Sequence, residues 1–260
     1  MKAVILAAGV GSRMGEVGRY LPKCLLQIGG KPILRKQVET LNANGITDIS
    51  VVVGYCEEMI KRASMNQAVK FYTNHRFAET GMLESLLCAS DELNDSFVLV
   101  YGDVYFEREV IGKLLLNTDD ICLVVNKCGN IEQSEGQFFE RYYGQKLRKV
   151  STKVYLANGW VKKLSKSPES SESGVEYIGI AKFSETKAQM IHNKIRCLVA
   201  SGQIAKFPSP SYLFSSLIES GEKIGAVFVD QRQYVEVDYP ENLDEARRRF
   251  DTSSNKGHAI

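Results

Sequence analysis

The chain opens on a run of small residues that turns charged. Leu6-Ala7-Ala8-Gly9-Val10-Gly11-Ser12-Arg13-Met14 is followed by Leu21-Pro22-Lys23. Glycines at positions 9 and 11 let backbone N–H groups turn inward and cradle phosphate oxygens. Arg13 adds a planar fork suited to a polyphosphate, and Lys23 a point charge able to follow charge as it moves. Two familiar phosphate loops are excluded by position. A dinucleotide-binding G-x-G-x-x-G needs a third glycine where Met14 stands, and an acid where Val53-Gly54-Tyr55 stands. A Walker A loop needs G-x-x-x-x-G-K-[ST], but Pro32 follows Gly30-Lys31 and Leu25 occupies the first glycine's place. The competing interpretation, a glycine-rich turn beside a solvated Arg and Lys, is disfavoured once Arg13 and Pro22-Lys23 are attached to the glycines.

Such a loop needs a frame, and the first half of the chain supplies one. Ala3–Ala7 reads as a continuous apolar strand running into the loop. Ile33–Ala43 has helical spacing (Ile33, Leu34, Val38, Leu41) with Gly45 just past its end. Strands are expected at Asp48–Val53, Val69–Tyr72, Phe97–Tyr101 and Ile121–Asn126. Helices are expected at Glu57–Met65, Met82–Leu93 and Glu109–Leu116. This alternation implies right-handed βαβ crossovers and a mainly parallel sheet covered by helices. Ligands bind beyond the carboxyl ends of such strands. The loop after Ala7 and the Gly102-Asp103 corner are therefore site candidates on topology alone.

From Cys128 the rhythm changes. Gly129–Gly144 is polar and aromatic without a clear period; its Phe138, Phe139, Tyr142 and Tyr143 form a small core or a surface able to hold a quaternary ammonium. Lys153–Leu164 reads as a hairpin turning at Asn158-Gly159, with Lys162 spoiling the alternation of the second arm. Lys166–Gly174 is a loop, and Lys162, Lys163 and Lys166 read as a solvated face. Val175–Ala181, Ala226–Val229 and Val235–Val237 are expected strands. Glu185–Ala200, Tyr212–Ser220 and Pro240–Phe250 are expected helices, the last with Pro240 in its first turn. Residues 1–250 read as one domain: a nucleotide-binding half (1–127), an acceptor-binding half (128–239) and a closing helix (240–250), with a frayed tail at 251–260.

Composition narrows the partners. The chain has 260 residues, 44% hydrophobic and 25% charged, with 33 Lys+Arg against 31 Asp+Glu, so neither nucleic acid nor a membrane surface is expected as a partner. No stretch approaches the roughly 20 apolar residues of a membrane span. Cys24, Cys56, Cys88, Cys122, Cys128 and Cys197 are scattered without a C-x-x-C and read as free, mostly buried thiols, which makes a cytoplasmic location the simplest expectation. His75, His192 and His258 have no metal-ligand or triad spacing.

Leu6-Ala-Ala-Gly-x-Gly-Ser-Arg13, with Pro-Lys nine and ten residues on, resembles the opening signature of the sugar-phosphate nucleotidyltransferases, and more narrowly the small bacterial cytidylyltransferases of the phosphocholine type. Gly29-Gly30-Lys31-Pro32-Ile33-Leu34 follows as in that family. Gly81-Met82-Leu83-Glu84-Ser85 falls at its base-recognition segment. Tyr101-Gly102-Asp103 resembles its first metal-binding Asp, and Val235-Glu236-Val237-Asp238 its second. The likeness spans about residues 1–250. It departs at Met14-Gly-Glu-Val-Gly, where the family commonly has Leu-x-Pro-Leu-Thr, and over 128–174, which has no counterpart.

The resemblance implies a Rossmann-like nucleotidyltransferase fold with a smaller inserted β-rich acceptor region. It implies attack of an acceptor phosphate or phosphonate on the α-phosphorus of CTP, with Mg²⁺ as cofactor. Lys23 and Arg13 would be catalytic, and Asp103 and Asp238 would hold the metal. Leu6, Ala8, Gly9, Gly11, Ser12, Gly81, Met82 and Ser85 would contact the nucleotide. Glu176, Tyr177 and Gly179, on the returning strand, either face the acceptor or pack in the core. The competing use of Asp238 is as a cap of the helix that follows it, and it could cap and bind metal at once. Partners are CTP and a small phosphorylated acceptor, with a homodimer left open. Two alternatives remain: a uridylyl- or thymidylyltransferase acting on sugar 1-phosphates, and a regulatory homologue that binds nucleotide without turnover.

Overall fold

Val4, Ile5 and Leu6 are buried along with Ala3, so the first strand is covered on both faces, as the continuous apolar run requires. The computed structural model describes residues 1–126, 152–165, 174–201 and 209–251. Its strands are β1 (Lys2–Leu6), β2 (Gln27–Ile28), β3 (Lys31–Pro32), β4 (Asp48–Val53), β5 (Lys70–Thr73), β6 (Phe97–Tyr101), β7 (Val104–Phe106), β8 (Ile121–Asn126), β9 (Lys153–Ala157), β10 (Trp160–Ser165), β11 (Val175–Phe183), β12 (Gly225–Val229) and β13 (Tyr234–Glu236). Among the described residues one sheet has nine strands, in the order β10-β9-β11-β6-β1-β4-β5, with β8 also paired to β11 and β12 to β8.

β6, β1, β4 and β5 run parallel, as the βαβ rhythm predicts. β11 then enters antiparallel to β6, and it also pairs antiparallel with β8 and β9. The sheet is therefore mixed, and β11 is the strand that joins the two halves of the chain. Its ladder with β8 slips between Tyr177 and Ala181. Gly179 sits in that slip at φ +82, where a Cβ would lie 2.6 Å from the Tyr101 ring.

Alternate residues of the strands feed two apolar layers. Ala3 and Ile5 face Leu34, Val38 and Leu41 of the helix Ile33–Ala43, with Val110, Ile111 and Leu114 of the helix Arg108–Leu116. Val4 and Leu6 face Leu83 and Leu86 of the helix Met82–Cys88, and Ile191, Ile195, Leu213 and Phe214 of the helices Glu185–Ala200 and Pro210–Glu219. A third cluster (Met14, Ile28, Ile33, Tyr105, Val235, Val237, Leu243, Phe250) binds the first loop to the closing helix Pro240–Phe250.

Most boundaries match the sequence pattern, and the misses have local causes. The helix expected over Met82–Leu93 stops at Cys88 and resumes as a 3₁₀ turn over Ser90–Glu92. The hairpin turns at Asn158 (φ 53) and Gly159 (φ 81), the left-handed pair of a type I′ turn. Its register shifts between Val161 and Lys163, so Lys162 is an extra, bulged residue, which accounts for the broken alternation. Val235–Val237 does not join the large sheet; β13 pairs with β7 instead. Of the cysteines, Cys24 and Cys122 are buried, Cys56 and Cys88 half-buried and Cys197 exposed; all five are free, and Cys128 lies outside the described residues. Among the described residues no helix is long and apolar enough to cross a membrane.

Replacing Gly179 by Ala forces an L-residue into the left-handed region and drives its Cβ into Tyr101. A loss on the order of 2–4 kcal/mol is expected, read as a lower urea midpoint at unchanged slope. An unchanged midpoint would mean that the Tyr101 ring yields freely.

Candidate active site

β1 delivers the glycine loop at its carboxyl end. The Leu6 carbonyl accepts from Gly102 N–H at 2.9 Å, Ala7 N–H donates to Val52 at 2.8 Å, and the Ala8 carbonyl accepts from Tyr55 N–H at 3.1 Å. Leu6 and Ala8 are buried and fix the loop to its neighbours, while Gly9, Val10 and Ser12 are exposed. The amides of Gly9, Val10, Gly11 and Ser12 donate to no acceptor among the described residues, an arrangement able to receive an anion. Gly11 is left-handed at φ +65, and a Cβ there would stand 3.1 Å from Cγ of Lys23; glycine lets the lysine stem lie along the loop. The sequence pattern did not anticipate the short helix Gly15–Tyr20 that follows. Buried Met14 anchors its start in the third cluster, and Gly18 passes so close to the Gly11 carbonyl that a Cβ would stand 2.6 Å from it.

Four charged side chains meet beyond this loop. Lys23 Nζ donates to Asp103 Oδ2 at 2.9 Å and to Asp238 Oδ1 at 2.6 Å, and Arg13 Nη1 donates to Asp238 Oδ2 at 2.7 Å. The exposures of the side chains grade outward: Asp238 9%, Lys23 12%, Asp103 23%, Arg13 52%. Burial works against the Lys23 ammonium, but the Asp103 and Asp238 carboxylates outweigh it and hold its pKa above the ordinary lysine value. The Arg13 guanidinium is likewise raised against the pull of burial, chiefly by Asp238. Both cations are fully charged at neutral pH. The arrangement joins Arg13, Lys23, Asp103 and Asp238, four residues the sequence singled out.

Backbone pairing brings the two acids together. Asp103 follows β6 at a corner where Gly102 runs so close that a Cβ would stand 2.7 Å from the Leu6 carbonyl. The buried Gln37 amide clamps both flanks of this corner, donating to the Tyr101 carbonyl at 2.8 Å and the Val104 carbonyl at 2.7 Å. β7 leaves the corner and pairs antiparallel with β13, Val104 opposite Glu236. Val237 N–H then donates to the Asp103 carbonyl at 2.9 Å, which sets Asp238 beside Asp103. Asp238 is not the helix cap that its position before Pro240 suggests. Tyr239 holds the N-cap position, and Asn242 Oδ1 accepts from the amides of Asp238 (3.2 Å) and Tyr239 (3.0 Å). Gln37, Asn242 and the β7–β13 pair were missed. Val104-Tyr105-Phe106 is a short β-prone run directly after a Gly-Asp corner, and Gln37 interrupts an apolar helix face; both were available signals.

The expected base segment is rigidly self-satisfied. Ser85 is buried; its hydroxyl donates to the Gly81 carbonyl at 3.1 Å and accepts from the Asn74 amide at 2.9 Å. Gly81 N–H donates to Glu84 at 3.0 Å. Ser85 thus braces the turn: its one donor and one of its two acceptor positions are used internally. Met82 packs on the apolar cluster that contains Leu6 and Ala8, so the segment lies against the loop's own support. Glu176 stands opposite Lys153 across the β11–β9 ladder and accepts from it at 3.2 Å. The same strand puts Tyr177 edge-on to Tyr101 at 5.8 Å and leaves Gly179 under the Tyr101 ring. Phe138, Phe139, Tyr142, Tyr143 and Lys166 lie outside the described residues; Lys162 and Lys163 are exposed.

The donor set can be tested for a metal. Among the described residues no group of three or more His, Cys, Asp or Glu side chains could hold one. Mg²⁺ needs less protein than that: one or two carboxylates, with water and phosphate oxygens completing its shell. Asp103 and Asp238 converge on a single cation, the Lys23 ammonium, so one oxygen of each is aimed at a common point, as a shared ion requires.

A family model described as a MobA-like NTP transferase domain matches residues 3–162. A CTP:phosphoglutamine cytidylyltransferase from Campylobacter jejuni is 28% identical over 192 residues, 71% of this chain and 73% of that protein. A UTP–glucose-1-phosphate uridylyltransferase from Haloferax volcanii is 27% identical over 257 residues, 96% of each. The solved structure of a CTP:phosphocholine cytidylyltransferase from Streptococcus pneumoniae covers 95% of this chain and 97% of that one at TM-score 0.74 and 19% identity, a likeness of fold.

Asn242→Ala leaves the Asp238 and Tyr239 amides without their acceptor. It should lower stability by about 1 kcal/mol in urea unfolding, the usual scale for a lost helix cap. Asn242→Asp keeps the accepting oxygen and should retain most of that stability.

Proposed function

From the premise that the chain belongs to the MobA-like NTP transferase family, and is a nucleotidyltransferase, we propose that it transfers CMP from CTP to a small phosphorylated or phosphonylated acceptor and releases pyrophosphate. The observation that carries the reading is the Lys23–Asp103–Asp238–Arg13 cluster beside a loop of unpartnered amides. An acceptor phosphate oxygen is already an anion, so attack on the α-phosphorus needs no general base. The work is alignment and charge neutralisation.

The amides of Gly9–Ser12 and the Arg13 guanidinium would hold the β- and γ-phosphates. Lys23, charged throughout the working pH range, would follow the charge that grows on the α-phosphate. Asp103 and Asp238 would bind Mg²⁺ with the phosphate oxygens, and the metal would supply neutralisation of the departing pyrophosphate. Gln37 and Asn242 keep the two acids in place without touching substrate. Gly81 and Met82 would border the base, and Glu176 would face the acceptor.

The cytidine preference draws support from the Campylobacter relative's name and from the Gly81-Met-Leu-Glu-Ser85 segment. A uridylyltransferase is the second reading, because the Haloferax relative matches end to end. A sensing homologue without turnover is the weaker reading, since Lys23, Asp103 and Asp238 are all present and in contact. The activated product would serve as a head group for cell-surface polymers.

Pyrophosphate release in Mg²⁺, with ATP, CTP, GTP, UTP and dTTP against a panel of phosphorylated acceptors, tests the proposal. Release is expected with CTP and one small acceptor. Release only with UTP or dTTP and a sugar phosphate would keep the mechanism and overturn the base and acceptor. Lys23→Ala should slow turnover at least about 10²-fold while leaving NTP affinity within a few-fold, the scale of one transition-state charge contact. Equal turnover in variant and parent would remove Lys23 from the mechanism.

A further inference from the structure

The cluster sets two carboxylates against one ammonium and one guanidinium, with the Glu236 carboxylate acting on Arg13 as well. Both oxygens of Asp238 are engaged, Oδ1 by Lys23 and Oδ2 by Arg13, and Asp103 gives Oδ2 to the same ammonium. A divalent ion bridging Asp103 and Asp238 would need the position Nζ occupies. A second positive charge there at hydrogen-bonding distance from the ammonium is strongly repelled in so enclosed a place. Entry of the metal alone would therefore break charge-assisted hydrogen bonds and strand Lys23, whose side chain is only 12% exposed, without a counter-charge.

We propose that Lys23 is a placeholder for the divalent cation: the site rejects the metal alone and admits it only with, or after, a nucleoside triphosphate. This rests on the reading of the cluster as a nucleotidyl-transfer site. The triphosphate supplies what the free metal lacks, an alternative anion for Lys23 and Arg13. Bound on the Gly9–Ser12 amides, it lies beside the lysine, whose Cγ already passes close over Gly11. The ammonium then needs only to swing along its flexible stem from the carboxylates to phosphate oxygens. That exchange uncovers Asp103 and Asp238 together, so the nucleotide and the metal must raise each other's affinity, and by the same factor. The arrangement also keeps two facing carboxylates neutralised whenever nucleotide is scarce.

The test is thermal unfolding and direct Mn²⁺ binding by electron paramagnetic resonance, neither of which requires turnover. MgCl₂ alone, up to about 5 mM, should leave the wild-type Tm nearly unmoved, whereas Mg²⁺ with α,β-methylene-CTP should raise it. Lys23→Met removes the placeholder and keeps the length of the stem. In that variant, metal alone should raise the Tm, and Mn²⁺ should bind at least about tenfold tighter than to wild type without nucleotide. Adding Asp103→Asn should cancel the gain, which locates it at this site. Lys23→Gln serves the same comparison if the Met variant does not fold. Wild-type protein that binds Mn²⁺ without nucleotide as tightly as the Lys23 variant overturns the placeholder. No response of wild type to α,β-methylene-CTP with Mg²⁺ would instead overturn the nucleotide reading beneath it, and the metal-alone comparison would still be decided on its own.

Discussion

Two carboxylates held face to face are the constraint on which the rest of the structure turns. Asp103 and Asp238 come from positions 135 residues apart, yet each has an oxygen on the same lysine nitrogen. Such a pair is tolerable in a half-buried place only if a cation lies between, and removing it would leave uncompensated charge. Lys23 and Arg13 are therefore structural before they are chemical. Under the proposed function their service to a substrate would consist of leaving one set of anions for another, so the stability of the resting site and its reactivity would draw on the same four side chains.

The fold treats its two edges differently. At the amino ends of the strands the charges satisfy one another: Glu92 accepts from Lys2 at 3.0 Å, Lys70 at 3.1 Å and the Tyr72 hydroxyl at 2.7 Å, and its pKa is held down to about 2, with those three donors outweighing the opposing effect of burial. At the carboxyl ends the backbone donors of the Gly9–Ser12 loop meet no acceptor among the described residues. Parallel strands followed by crossovers place every loop that precedes a helix on this second edge, which is why chemistry gathers there. Close approach then decides which residues can stand at it. Gly102 against Leu6, Gly18 against Gly11 and Gly179 against Tyr101 are contacts that a side chain of any size would spoil.

How much of this is legible in the sequence follows from the range of the interaction involved. The strands β1, β4 and β6 and the helices Ile33–Ala43, Glu185–Ala200 and Pro240–Phe250 could be read because local periodicity records burial directly. The four charged residues of the site could be read because glycine, proline and charge at fixed spacing leave few uses open. The antiparallel entry of β11 could not, since period-two patterning says nothing of direction. Nor could the β7–β13 pair, whose members are three residues each and lie far apart in the chain. Ser85 shows the other limit: its type marks it as a group able to recognise a base, while the bonds it makes to the Gly81 carbonyl and the Asn74 amide come only with the fold. A residue's type limits what it can bind, and only packing decides whether that capacity is still free.

The family match ends at residue 162, but the site does not. Asp238, Asn242 and the closing helix all lie beyond it, and they are bound to the matched part at every level. The β7–β13 ladder and the Val237–Asp103 hydrogen bond fix the backbone, and the third apolar cluster packs Met14 of the loop with Val237, Leu243 and Phe250. Met14 is buried and follows Arg13, so the register of the glycine loop depends on the helix that also flanks Asp238. The glycine loop and the carboxylate pair are thus set by a single packing unit. The residue before the loop's helix and the residues that flank Asp238 therefore share one apolar core, the same core that closes the domain.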